Sequence, residues 1–220
     1  MYRMISAMTS TPSPSVDAAE RPTVFVVDDD VSIRESLELL IISAGWQPVL
    51  LDSAQSFLAM PSTGTPSCLV LDVNMPGLNG LDLQNIITLS GRRMPIIFVS
   101  GFGDVPMTVK ALKGGALDFL TKPIDTEALL EAIQSALAQS QALRQLQRRY
   151  EVLTPREREV MTRVAKGLLN KQVAYELDIS EITVKAHRGQ VMRKMNARSL
   201  PDLVGMAARL GLGEDSREVH

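Results

Sequence analysis

Cysteine is nearly absent from this 220-residue chain: Cys68 is the only one, and histidine occurs twice. One thiol excludes an intrachain disulfide and a cysteine-based zinc site, and it suits a reducing compartment. Long apolar runs are missing too. None approaches the ~20 residues needed to span a bilayer, and residues 1–21 lack the apolar core of a signal peptide. A cytoplasmic protein with no membrane partner is expected. The Thr-Ser-Thr-Pro-Ser-Pro-Ser run in those first 21 residues reads as a disordered tail, and residues 213–220 read as a frayed one.

Net charge is also scarce, only −2 over the whole chain. That total hides an asymmetry. Residues 22–125 carry six Lys and Arg against eleven Asp and Glu, whereas residues 151–212 carry eleven against seven. An acidic half joined to a basic half suggests a cation-binding module followed by a nucleic-acid-binding one. A basic stretch is also what a solvated helical face looks like, so the motifs must decide.

Two apolar runs end on carboxylates: Val26-Val27-Asp28-Asp29-Asp30 and Leu69-Val70-Leu71-Asp72-Val73-Asn74. Such short runs read as strands buried on both faces, and open α/β sheets build their sites at the carboxyl ends of strands. Asp29 and Asp72 should therefore converge. Clustered carboxylates repel unless a cation or proton lies between them. All-oxygen ligands suit Mg²⁺, and a carboxylate beside Mg²⁺ can serve as a nucleophile toward a phosphoryl group. Asp30 reads better as a helix N-cap.

From Thr23 to about residue 126 strand-like and helix-like patterns alternate five times. This predicts a five-stranded parallel sheet, doubly wound with helices on both faces. Fifth-strand residues 116–120 precede Thr121-Lys122-Pro123, and an X-Pro bond makes the cis form accessible. The helix beginning at Thr126 meets no Gly or Pro before Gln147. Within and beyond it, Leu143, Leu146, Tyr150 and Leu153 recur at spacings that fit either a short coiled coil or a plain linker helix. A continuous helix here should hold two domains apart.

Thr154-Pro155-Arg156-Glu157 is a helix start with a capping box. Four helices are expected over residues 151–212. The second, from about Asn170, and the third, capped by Ser180, are joined by a tight turn and match a helix-turn-helix. The amino-terminal part of the third should enter the major groove, where Lys185, Arg188 and Gln190 would meet base edges or phosphates. Thr183 and Lys171 suit phosphate contacts. Val184, Val191, Met192 and Met195 read as core. Gly189 is unusual in a helix interior and costs about 1 kcal/mol relative to Ala.

Residues 22–126 resemble the receiver domain of bacterial two-component response regulators, with its flavodoxin-like fold. Residues 151–212 resemble the LuxR-type helix-turn-helix domain, and residues 127–150 form an extended last receiver helix and linker between them. The pairing, with Gly103-Asp104-Val105-Pro106-Met107 and Leu117-Asp118-Phe119-Leu120-Thr121-Lys122-Pro123, is most similar to the FixJ group within the FixJ/NarL regulators. The resemblance implies that Asp72 is the phosphoacceptor. It implies Mg²⁺ held by Asp29, Asp72 and the backbone carbonyl of Asn74, with Asp28 an indirect acidic neighbour; the Asn74 side chain need not matter. Ser100 and Lys122 would bind the phosphoryl group, Phe119 would reorient on activation, and Lys122–Pro123 would be cis. His187 would touch the DNA backbone. Leu200, Leu203 and Val204 would divide between core and a pairing surface.

The function so implied is that of a transcription factor rather than a turnover enzyme. A sensor histidine kinase donates the phosphoryl group. The receiver then dimerises through its fourth helix and fifth strand, where Val109, Lys110 and Lys113 are the candidates. The homodimer binds a two-fold promoter site and, with RNA polymerase as partner, activates transcription. A Mg²⁺-dependent phosphatase with an aspartate nucleophile would need a second Asp at position 74, which is Asn. A ligand-sensing LuxR regulator would have no use for Asp29, Asp72 and Lys122 together. A receiver working without phosphate is less consistent with the intact acidic set.

Overall fold

The computed structural model describes residues 21–61, 63–101 and 105–212. The expected tails, except Arg21, and Gly103 and Asp104 of the receiver motif lie outside the described residues. The amino-terminal half runs β1 (Thr23–Val27), α1 (Val31–Ser43), β2 (Gln47–Leu51), α2 (Ala54–Leu58), β3 (Ser67–Asp72), α3 (Gly80–Leu89), β4 (Ile96–Ser100), α4 (Val105–Lys113) and β5 (Asp118–Thr121). The strands form one parallel sheet in the order β2-β1-β3-β4-β5. β1, β3 and β4 are buried along their whole length, as their unbroken apolar runs require. β5 begins at Asp118, two residues later than the sequence suggests; Ala116 and Leu117 instead make the turn after α4, with the Leu117 amide on the Ile96 carbonyl at 2.8 Å.

Val24, Val26, Val70, Ile97 and Val99 point to one side of the sheet and pack with Leu37 and Ile41 of α1 and Leu129, Ile133 and Leu137 beyond residue 126. Phe25, Leu69, Leu71 and Phe98 point to the other and pack with Phe57, Leu83, Ile87 and Ala111 from α2, α3 and α4. The strand order reverses between β1, which runs into Asp28 and Asp29, and β3, which ends on Asp72. That crevice is where doubly wound sheets bind ligands. Gly80 sets its depth: a Cβ there would lie 2.4 Å from the Asp72 carbonyl oxygen. Only glycine lets α3 start this close to the end of β3.

α5 (Thr126–Glu151) is continuous over 26 residues, about 39 Å at 1.5 Å per residue. It belongs to both halves. Its first turns cover the sheet, and the Ser140 hydroxyl then accepts the Ser67 amide at 3.0 Å. Arg144 donates to the Thr63 carbonyl at 3.0 Å and to the Gly64 carbonyl. Farther on, Leu146 is buried, and with Tyr150 and Leu153 it joins the core of the second half. The spacing that suggested a coiled coil or a plain linker serves instead as an anchor inside the chain's own second domain. One contact joins the halves beside this helix: the Arg93 guanidinium, before β4, donates to the Arg209 carbonyl.

The second half contains α6 (Pro155–Ala165), α7 (Asn170–Leu177), α8 (Glu181–Met195) and α9 (Leu200–Arg209). Val160, Met161, Val173, Val184, Val191, Met195 and Leu203 form its core, with Met192 partly buried. The Thr154–Glu157 capping box opens α6 as expected. Glu157 is only 4% exposed; it also takes Lys194 of α8 at 2.7 Å. Burial pushes its pKa up, but Lys194 and the Thr154 amide and hydroxyl outweigh this and hold it below the usual glutamate value. Among the described residues no helix is long and apolar enough to cross a membrane.

Candidate functional site

Asp28 and Asp29 follow β1, and Asp72 closes β3. Register places Val27 beside Leu71, so the three carboxylates meet at one sheet edge, each offering an oxygen within 4.8 Å of the others. Asp28 and Asp72 are buried and Asp29 is exposed. Asp30 turns away and caps α1 by accepting the Ser32 amide at 2.8 Å. Asp28 is held by the Asp30 amide, at 2.9 Å from Oδ1, and by Lys122 Nζ, at 2.8 Å from Oδ2. Lys122 stands 3.5 Å from Asp72 Oδ1, an ion-pair distance that is long for a hydrogen bond. Asp72 Oδ1 is buried and has no hydrogen-bond partner among the described residues.

The electrostatics follow. Burial is the largest effect on Asp72 and raises its pKa; Asp28 pushes the same way, and Lys122 opposes both without winning. Burial pulls the Lys122 ammonium down, yet the hydrogen bond to Asp28 and the charges of Asp72 and Asp28 leave it above the ordinary lysine value. A buried carboxylate with one orphaned oxygen, two acidic neighbours and one cation is short of positive charge. A divalent cation fits this donor set, since a buried acceptor of this kind is ordinarily completed by an ion or a water.

Ser100 ends β4 fully buried. Its hydroxyl accepts from Asn74 Nδ2 at 3.1 Å, so the Asn74 side chain has a use beyond the backbone carbonyl expected to matter there. Phe119 on β5 is partly buried, with its ring centroid 6.2 Å from that of Phe98. Lys122–Pro123 is cis. Ser100 and Lys122 are tied through the Lys122 amide on the Ser100 carbonyl at 2.8 Å. Val109, Lys110 and Lys113 lie exposed on α4, of which only Ala111 is buried.

The second site is α8, fixed by the Ser180 cap, whose side chain accepts the Thr183 amide at 3.1 Å. The α7–α8 turn passes through Asp178 at φ 51°, which Asp tolerates better than most residues. Lys171 and Lys185 are exposed, while Thr183, His187, Arg188 and Gln190 are half-buried. These six do not form one face. Arg188 lies toward α7 and donates to Asn170 Oδ1 at 3.1 Å, and Gln190 accepts from Arg193. Exposed residues that the sequence reading passed over, Ile182, Ala186 and Arg193, occupy the outermost side together with Gly189. Counting 100° per residue from Val184, Val191 and Met195 would have found them.

A parallel five-stranded sheet with an acidic crevice, continued by a helix-turn-helix, defines a receiver joined to a DNA-binding domain. Residues 24–134 match the response regulator receiver domain family, and residues 151–207 match the bacterial regulatory proteins of the luxR family. The chain is 47% identical over 209 residues to nodulation protein W of Bradyrhizobium diazoefficiens, covering 92% of each chain. It is 45% identical over 194 residues to the response regulator protein TodT of Pseudomonas putida, covering 85% of this chain and 86% of that one. Among solved structures, the response regulator StyR aligns with a TM-score of 0.55 at 44% identity, over 86% of this chain and 99% of StyR. Full-length FixJ from B. japonicum aligns with a TM-score of 0.50 at 42% identity, over 86% and 97%. The chain belongs to the two-component response regulators that pair a receiver with a LuxR-type DNA-binding domain. It is a transcriptional regulator of that family, which is not one of turnover enzymes.

Proposed function

We propose that Asp72 accepts a phosphoryl group from a sensor histidine kinase and that this event controls DNA binding by α8. The observation that carries the reading is Asp72 itself, buried, with one oxygen orphaned beside Lys122. A carboxylate oxygen of Asp72 attacks phosphorus, the P–N bond of the donor phosphohistidine breaks, and the imidazole leaves. Asp29, Asp72 and the Asn74 carbonyl would hold Mg²⁺, with Asp28 behind them, and the ion would neutralise charge on the phosphoryl oxygens. Lys122 supplies the cation on the other side. Exposed Leu39 of α1 lines a groove with Leu40, Pro123 and Ile124 that offers the kinase an apolar place to dock.

Phosphorylation adds about one negative charge and strong acceptor oxygens. The Ser100 hydroxyl turns to them and leaves Asn74, and the space vacated admits the Phe119 ring. This changes the α4–β5 surface, where Val109, Lys110 and Lys113 then meet a second copy. In the homodimer, two copies of α8 address a two-fold promoter site in the cytoplasm, and the bound dimer activates RNA polymerase. Lys171, Thr183, Lys185 and His187 contact the DNA backbone or groove, Gln190 lies beside them, and Arg188 braces α8 on α7 while reaching phosphate.

Incubation of the wild type and Asp72→Asn with Mg²⁺ and a labelled small phosphoryl donor tests this. Label is expected on the wild type alone; equal labelling of the variant would move the acceptor elsewhere.

A further inference from the structure

We infer that α8 reads its DNA site partly through apolar contact, with Ile182 covering the 5-methyl group of a thymine in the major groove. This rests on α8 being the recognition helix. Val184, Val191 and Met195 are fully buried and fix which side of α8 faces the core. At 100° per residue, Ile182, Ala186, Gly189 and Arg193 stand nearly opposite them, and all four are exposed. Ile182 leads the row in the first turn and is 79% exposed. A β-branched apolar side chain gains nothing there from helix propensity and nothing from burial within the chain. At Gly189 a Cβ would meet nothing within 4 Å, so packing does not demand glycine. The outward row therefore carries no hydrogen-bonding side chain before Arg193.

That absence decides the chemistry. In the major groove three of the four bases present only hydrogen-bond donors and acceptors, while thymine adds a methyl group. Isoleucine cannot satisfy a donor or acceptor and would strand one if pressed against it. Against a thymine methyl it strands none. Charge supports DNA as the occupant of this face: Lys171, Lys185 and Arg193 are exposed around it, in a domain with eleven basic and seven acidic side chains over residues 151–212. Lys185 also has Glu181 at 3.5 Å, an exposed pair that water and a phosphate readily replace. The bare surface at Ala186 and Gly189 lets the helix seat deeply enough for Ile182 to reach a base.

The test uses the full-length chain, activated with Mg²⁺ and a small phosphoryl donor, and duplexes it selects from a random pool. Each thymine of the selected site is replaced in turn by uracil, which removes the methyl and keeps the pairing. At one position per half-site, uracil is expected to weaken the wild type about fourfold, the loss of one buried methyl. Ile182→Ala should bind the thymine and uracil sites alike, and Ile182→Val should retain the discrimination. Indifference of the wild type to uracil at every position would overturn the inference, as would an unchanged penalty in Ile182→Ala. Failure to select any sequence would instead overturn the DNA-binding reading beneath it.

Discussion

Under the proposed function, the acidic crevice and the outer face of α8 would bind phosphate in opposite ways. In the crevice the charged groups are few, mostly buried and tied to one another: Asp28 to Lys122 at 2.8 Å, and Asp72 to the same lysine at 3.5 Å. On the outer face of α8 Lys185 and Arg193 are exposed, and Lys185 is paired only loosely. Burial makes each crevice charge costly unless compensated, so the site would respond strongly to one added phosphoryl group. Exposure makes Lys185 and Arg193 individually weak and additive, which would suit a surface sliding over many phosphates.

The sharpest way to break that contrast is at Asp72. Its folded pKa is raised, so its favourable contribution to stability is present below the ordinary carboxylate value, about 4, and is lost as pH rises through the folded value. At neutral pH Asp72→Asn should therefore melt at a higher temperature than the wild type without Mg²⁺. The gap should close on acidification and shrink when Mg²⁺ is added to the wild type. A lower melting temperature at pH 7 would show that Lys122 compensates the crevice fully.

Glu157 is the exception that sharpens the comparison, a buried charge in the basic domain. Its carboxylate takes Lys194 at 2.7 Å and the Thr154 amide at 2.8 Å. Lys194→Met leaves that charge buried and should cost about 3 kcal/mol in denaturant unfolding. Because the folded pKa of Glu157 is depressed, its contribution is present above the ordinary glutamate value, about 4.3, and is lost as pH falls through the folded one. Acid should thus loosen the second domain in the wild type and have less effect on Glu157→Gln.

Smaller effects are expected from exposed groups. Lys185→Ala should lower affinity for all duplexes by roughly tenfold or less and reduce the salt slope by about one; an unchanged slope would remove Lys185 from the interface. Leu39→Asp should slow phosphoryl transfer from the kinase severalfold and leave uptake from a small donor unchanged. Equal slowing with both donors would mean the crevice was disturbed, not the docking surface.

The crevice was legible in the sequence because its chemistry is written at strand ends. Apolar runs stopping at Asp28-Asp29 and at Asp72 already bring the carboxylates to one sheet edge, whereas Ser100, Lys122 and Phe119 were legible through likeness to a family. The Asn74 side chain was missed because its partner, Ser100, is 26 positions away. The fate of Leu146 and Leu153 was not legible either: a helical apolar spacing is the same whether it faces another chain or the chain's own core. On α8 the sequence revealed the charge but not its direction. Arg188 reads from the sequence as a contact to base edges or phosphates, and packing turns it toward Asn170; Ile182 drew no reading from the sequence, and packing leaves it outermost.

The central claim is that phosphorylation at Asp72 gates α8. Its most direct test measures oligomeric state and DNA affinity together, with and without Mg²⁺ and a small phosphoryl donor, in the wild type and Asp72→Asn. The account predicts that the donor drives dimerisation and tightens DNA binding in the wild type alone. Wild-type protein that binds DNA equally tightly as a monomer without the donor would contradict it.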